Sequence, residues 1–208
     1  MKLWSDSFED GEAIPTEFAM GKFDADSHAT FAANKNPHFA WSDLPDGTKS
    51  LALVCVDPDA PTVPDNVNKE GVTVPLDLPR ADFYHWVLVD LPADLGPIAA
   101  GEFSDGVSAK GKDAGAPRGR SGLNNYTQWF DGDADMVGDY FGYDGPFPPW
   151  NDELRHRYQF TLYALGVDAL GVDGKFDAGA ALAAMDGHIL GKASITGTYA
   201  IYPDAKTK

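Results

Sequence analysis

The run "SLALVCVD", Ser50–Asp57, constrains the fold more than any other stretch of the chain. It is apolar and β-branched almost without interruption, the pattern of a strand buried on both faces rather than of an amphipathic helix. It leads straight into Asp57-Pro58-Asp59-Ala60-Pro61. Pro58 and Pro61 fix φ and remove two backbone donors, so the chain is stiff where the two carboxylates stand. The aspartates have three readings: a turn in which they accept backbone N–H bonds, a carboxylate that orients a nearby histidine or arginine, and a ligand set for a hard cation. The strand by itself leaves all three open.

Other segments extend the same class. "FYHWVLVDLP" (Phe83–Pro92) is aromatic and β-branched and ends in proline. "RYQFTLYAL" (Arg157–Leu165) alternates, with Tyr158, Phe160, Leu162 and Ala164 on one face and Gln159, Thr161 and Tyr163 on the other. "KASITGTYAIY" (Lys192–Tyr202) is a fourth strand, with Gly197 a candidate bulge. One helix is predicted over "AGAALAAM", capped by Asp177. The chain is therefore mainly β with a few short helices, one of them near the C-terminus, and not an alternating βαβ array. The 208 residues fit a single domain, 1–208, with long loops at about 62–82 and 110–139.

With 16 Lys and Arg against 32 Asp and Glu, the net charge is −16. Such a surface repels phosphate backbones and anionic leaflets, which argues against nucleic-acid partners and stable membrane association. The single cysteine, Cys55, lies inside the apolar strand and reads as a buried small hydrophobe. With no apolar N-terminal region, no spanning segment and no disulfide pair, the expected compartment is the cytoplasm.

Among the histidines, His28, His38 and His188 have no obvious partner, whereas His85 sits in an apolar strand and needs a hydrogen bond to be buried there. His156 opens the Arg157–Leu165 strand, and Asp57 closes its own, so antiparallel pairing of the two would bring them to one sheet edge. The stretch "YDGPFPPWNDELRHRY" around His156 holds Gly145-Pro146 and Pro148-Pro149 and ends in basic residues, which reads either as a rigid anion site or as a turn alone. Ser121 in "GRSGLNN" is not a nucleophile elbow, and metal-ligand and phosphate-loop motifs are absent.

Four segments in chain order carry a resemblance: "NPHFAWSDLP" (Asn36–Pro45), "DPDAP", "HWVLVDLP" (His85–Pro92) and "GPFPP" with "RHRYQFTLYAL" (Gly145–Leu165). Together they resemble the phosphatidylethanolamine-binding protein family, in its bacterial Raf-kinase-inhibitor-like branch, across about Ser5 to Tyr202. The resemblance implies a Greek-key, β-sandwich-like fold with a small pocket for anionic groups. Asp57, Asp59 and His85 would line one wall, Gly145, Pro146, His156 and Tyr158 the other, and Pro61 the floor. It also implies cis bonds in the D-P-D-A-P segment and an imidazolium at His85 beside Asp57.

The function implied is that of a non-enzymatic binding module for a small phosphorylated or carboxylated ligand, with no catalytic residue, metal or cofactor. Two readings stand beside it: a protease or kinase-pathway inhibitor acting on a regulated protein partner, and a weak hydrolase using His85 or His156. Homodimer formation is implied by the bacterial branch; the aromatics Trp129, Phe130, Tyr140 and Trp150 are a candidate interface, though such residues more often pack locally. The Thr62–Asp82 loop is longer than the resemblance implies and is placed to cover or narrow the pocket.

Overall fold

A computed structural model describes residues 1–207. Its centre is a five-stranded antiparallel sheet of β5 (Ser50–Pro61), β6 (Arg80–Pro92), β7 (Arg120–Ser121), β8 (His156–Leu165) and β9 (Ile189–Tyr199), in the order β7-β6-β5-β8-β9. The chain passes through β5, β6 and β7 in turn and then returns to lay β8 beside β5. That order is the Greek key. Smaller antiparallel pairs join β1 (Lys2–Trp4) to β4 (Ala40–Ser42), and β2 (Gly21–Asp24) to β3 (His28–Phe31). The protein is mainly β and has the Greek-key sandwich character expected.

The apolar strand is central because both sides of it are covered. On one face Leu51, Leu53 and Cys55 of β5 pack with Trp86, Leu88, Phe160 and Leu162 against Phe8, Phe18, Phe39 and Ile98. On the other, Ala52, Val54, Val87 and Val89 meet Phe176, Ala181 and Met185. Truncating such a buried leucine to alanine costs about 2–5 kcal/mol. The covering helix, α2 (Ala178–Met185), starts where Asp177 Oδ1 accepts the Ala180 N–H at 2.9 Å. A shorter helix, α1 (Tyr126–Trp129), comes after β7.

Several boundaries differ from the sequence reading. Strands β5 and β6 run on through D-P-D-A-P as one long pair, ending at Pro61↔Arg80. The fourth strand begins at Ile189, where a short tight turn out of α2 carries the chain directly into pairing with β8. Gly197 makes no bulge: it pairs in register with Tyr158, and a Cβ there would lie 2.4 Å from Ile14 Cγ1. The glycine lets the N-terminal segment lie on the sheet. No peptide bond is cis among the described residues, against the expectation for D-P-D-A-P. Of the aromatics weighed as an interface or as local packing, Tyr140 and Phe130 take the second role, buried together with Met20, Tyr126 and Met136.

Candidate functional site

Two irregularities in the β5–β6 ladder build the site. Cys55 pairs with Trp86, yet Val56 pairs with Tyr84, so His85 is an extra residue bulged out of β6. The bulge breaks the alternation of faces. Tyr84 packs toward the α2 side, while Trp86 and the ring of His85, 5.1 Å from that of Tyr158, share the opposite face. A second irregularity lies between Asp57/Phe83 and Ala60/Ala81, this time with the extra residue on β5. It falls at Pro58-Asp59, where a proline without an N–H leaves no ladder bond unmade.

Antiparallel pairing of β5 with β8 does bring Asp57 to His156. His156 Nδ1 lies 2.7 Å from Asp57 Oδ2, and Nε2 lies 3.0 Å from Asp152 Oδ2. With a carboxylate on each nitrogen, both ring nitrogens donate, which requires the imidazolium. Burial opposes that charge, but the field of Asp57 and the hydrogen bonds the ring donates to both carboxylates outweigh it and raise the pKa to about 9. Arg80 completes the row with a two-pronged contact to Asp152, at 2.6 and 3.0 Å. Burial works to raise the Asp152 pKa, and His156 and Arg80 more than reverse it. The row Asp57–His156–Asp152–Arg80 is an alternating, charge-balanced chain.

Asp59 turns away from this row. Its carboxylate accepts the Arg157 backbone N–H at 3.0 Å and the guanidinium at 2.8 and 2.9 Å. That replaces the backbone partner β8 lacks once pairing with β5 stops at Val56↔Gln159. Despite the cost of burial, these contacts lower its pKa. The sequence reading placed Asp59 on the pocket wall; here it locks two strands instead.

His85 also departs from expectation. Its Nδ1 lies 2.8 Å from the Asp144 backbone oxygen. A carbonyl only accepts, so Nδ1 carries the proton and Nε2 is left as an acceptor. Burial lowers the His85 pKa, outweighing the pull of Asp57 and Asp144, so the ring is neutral at pH 7. The imidazolium of this site is His156, because Asp57 spends its close contact there. Asp144 is itself held by Asn34, Asn124 and Lys112. Lys112 also donates to the Tyr143 oxygen.

These groups meet at a cavity of about 100 Å³ lined by Asp57, Pro61, His85, His156 and Tyr158 of the expected set. Gly145 and Pro146 lie behind the wall. A Cβ on Gly145 would stand 2.2 Å from the Phe18 oxygen, and Pro146 O accepts from Met20 and Gly21. The wall itself is Phe147, Pro148 and Pro149. Sequence reasoning missed Phe83, Tyr126, Trp129 and Asn68, which also line it. For Asp152 a signal existed, since it stands four positions ahead of His156. For Asn34 and Asp144, 110 residues apart, there was none.

The 62–79 loop reaches the cavity through Asn68, which lines it. Asn151 Nδ2 donates to the carbonyls of Asn66, Lys69 and Val72, and Asn68 Oδ1 accepts the Trp150 N–H. His28, read as partnerless, stacks on Trp150 at 4.2 Å and faces Glu70, while His38 Nδ1 accepts the Asp6 N–H. The Tyr158 hydroxyl at the cavity is fully buried and meets only the Asp57 carboxylate, in a contact too poor in geometry to count as a hydrogen bond. Burial first, and the charge of Asp57 second, hold its pKa well above the ordinary value. The other such atom, Trp86 Nε1, sits in the closed core among Phe39, Phe103 and Tyr143.

Known proteins are similar to this chain in sequence and in fold. The sequence profile named "Phosphatidylethanolamine-binding protein" matches residues 4–200. The UPF0098 protein YbhB of Escherichia coli K12 is 32% identical over 173 residues, 83% of each chain. A UPF0098 protein of Aquifex aeolicus VF5 is 29% identical over 96% of this chain and 88% of its own. Among solved structures, Escherichia coli YbcL, described as a new member of the mammalian PEBP family, superposes with a TM-score of 0.68 at 25% identity, covering 96% of this chain and 98% of its own. A PEBP homologue from Chlamydia trachomatis gives 0.63 at 27% identity, with 95% of each chain covered. The chain belongs to the phosphatidylethanolamine-binding protein family.

Proposed function

We propose that this protein is a non-enzymatic binding module whose cavity takes a single small phosphoryl or carboxyl group. The observation that carries the reading is the buried Tyr158 hydroxyl beside His85, which makes no well-formed hydrogen bond among the described residues. An unmet donor in a lined cavity costs about 1–3 kcal/mol, and a ligand oxygen relieves it. The neutral His85 sets the protonation rule: an anion either arrives with a proton for Nε2 to accept or draws one onto the ring. Binding is therefore coupled to proton uptake and strengthens as pH falls.

The cavity's chemistry favours holding over cleaving. Its hydroxyls belong to Tyr126 and Tyr158, both with pKa values pushed well up by burial, which makes them poor nucleophiles. The nearby Cys55 thiol is pushed up as well, by burial and by Asp57. A volume of about 100 Å³ accepts a headgroup and not a pair of acyl chains. No helix is long and apolar enough to cross a membrane among the described residues.

Calorimetric titration with inorganic phosphate, phosphoethanolamine and acetate tests the reading. Affinity should fall as pH rises, the measured heat should depend on the buffer's ionisation enthalpy, and His85→Ala should abolish binding. Absence of binding by all three, or binding indifferent to His85→Ala, overturns it.

A further inference from the structure

The arm between β5 and β6 is fastened unevenly along its length. Its root is held on several sides. Val74 is fully buried and its N–H donates to Asn151 O, Thr73 Oγ1 donates to Glu153 at 2.9 Å, and the Thr62 N–H donates to Pro79 O. Arg80, already paired with Asp152, donates to Pro75 O at 2.9 Å.

The tip, residues 64–72, is different. Every residue in it except Val67 is exposed, so it buries almost no apolar surface. Such a segment has little stability of its own. What ties it to the body is one side chain, Asn151, itself only 1% exposed. Asn151 Nδ2 reaches the carbonyls of Asn66, Lys69 and Val72 at 2.9, 3.1 and 2.9 Å, and Oδ1 accepts the Asn68 N–H at 3.0 Å. Asn68 Oδ1 adds one bond, from the Trp150 N–H. The Glu70–His28 pair, at 3.3 Å, is solvent-exposed and contributes little. Asn68 is also where the tip meets the cavity, whose lining it joins.

Resting on the proposed binding function, we propose that residues 64–72 are a lid on this cavity and that Asn151 is its latch. The ligand enters and leaves when the tip lifts off Asn151, so the latch sets the rate of exchange and not the choice of ligand. Lifting breaks the bonds of Asn151 and Asn68 and spares those of Val74, Thr73 and Arg80, so the sheet that carries Asp57 and His85 is undisturbed.

Access to the cavity has a probe that needs no ligand. His85 Nε2 is unprotonated, the form that diethyl pyrocarbonate acylates, whereas both nitrogens of His156 are bonded to carboxylates. The rate of His85 acylation, read by peptide mass mapping, is compared in the wild type, Asn151→Ala, Asn68→Gly and Thr73→Val. Amide exchange at Asn68 and stopped-flow exchange of inorganic phosphate are read in parallel on the wild type, Asn151→Ala and Thr73→Val. Asn68 is exposed and sits at φ +55°, which glycine adopts freely, so Asn68→Gly keeps the fold even where loss of the buried Asn151 does not.

Asn151→Ala should quicken Asn68 exchange and His85 acylation by about tenfold or more, as the loss of several hydrogen bonds provides. Asn68→Gly should quicken acylation too, and Thr73→Val, which touches only the root, should leave it at the wild-type rate. Phosphate association and dissociation should rise together in Asn151→Ala, so affinity moves less than either rate. Acylation unchanged in both Asn151→Ala and Asn68→Gly overturns the lid. Asn68 exchange unchanged in Asn151→Ala, or acylation quickened as much by Thr73→Val, overturns the latch. Failure of phosphate to bind overturns the anion reading, and the acylation rates still decide the lid.

Discussion

Tyr158 and His156 lie side by side in the fold and carry opposite consequences for stability. The Tyr158 hydroxyl is buried and makes no well-formed hydrogen bond among the described residues, so Tyr158→Phe breaks no strong bond that the fold supplies. The thermal midpoint should stay level or rise, while phosphate affinity falls by about tenfold or more, the loss of one hydrogen bond to a charged group. Thermal melting and calorimetry on the same samples check this; a lowered midpoint with unchanged affinity would count against a ligand-facing hydroxyl. His156 is the reverse case. Both its nitrogens serve buried carboxylates, so His156→Gln leaves Asp57 and Asp152 without their shared cation. Urea unfolding should show a loss of about 3–5 kcal/mol, the cost of stranding buried charge. Adding Asp57→Asn should recover part of it, because one of the stranded charges is then gone.

At the scale of elements, the strands were legible wherever side-chain pattern decides the outcome. The run Leu51–Val56 announced a strand with two covered faces, and Tyr158, Phe160, Leu162 and Ala164 fall on one face as their alternation requires. Pattern failed where backbone bonding decides. Nothing in "DFYHW" shows that His85 is bulged, because a bulge is a property of the pairing and not of one strand. Nor does "DPDAP" show that Asp59 faces Arg157, which depends on where β8 stops pairing. The 62–79 arm belongs to the same class: its anchor is Asn151, a residue outside it whose side chain makes four hydrogen bonds to the arm. Asn151→Ala should loosen the arm alone. Amide exchange or limited proteolysis should quicken across 62–79, with the exchange of β8 unchanged; equal quickening of β8 would mean that the arm and the sheet open together.

For the whole molecule, the site was legible as a set of residues but not as a distribution of charge. The sequence put Asp57, His85, His156 and Tyr158 together, yet which histidine is charged depends on which one Asp57 reaches, and that is fixed by register. The two histidines now set the pH profile of stability from opposite sides. His156 has its folded pKa raised to about 9 from the ordinary value near 6.5. Its contribution is fully present below about pH 6.5 and is lost as pH rises through about 9, a change on the order of 3 kcal/mol. His85 has its folded pKa lowered. Below about pH 6.5 the unfolded chain takes up a proton that the buried ring resists, so stability falls there until the folded ring also titrates. Asp59 and Asp152, with lowered folded pKa values, add a further loss as pH drops below the ordinary carboxylate range. Stability should therefore peak near about pH 6.5 and decline on both sides. Saturating phosphate should flatten the acid flank, because the bound anion favours the protonated His85. Urea unfolding across pH 5 to 9.5, about the span of the two titrations, with and without phosphate, checks this. His156→Gln should lose the alkaline decline, and His85→Ala should lose both the His85 part of the acid decline and its response to phosphate. An alkaline decline that persists in His156→Gln would place the titrating cation elsewhere in the molecule.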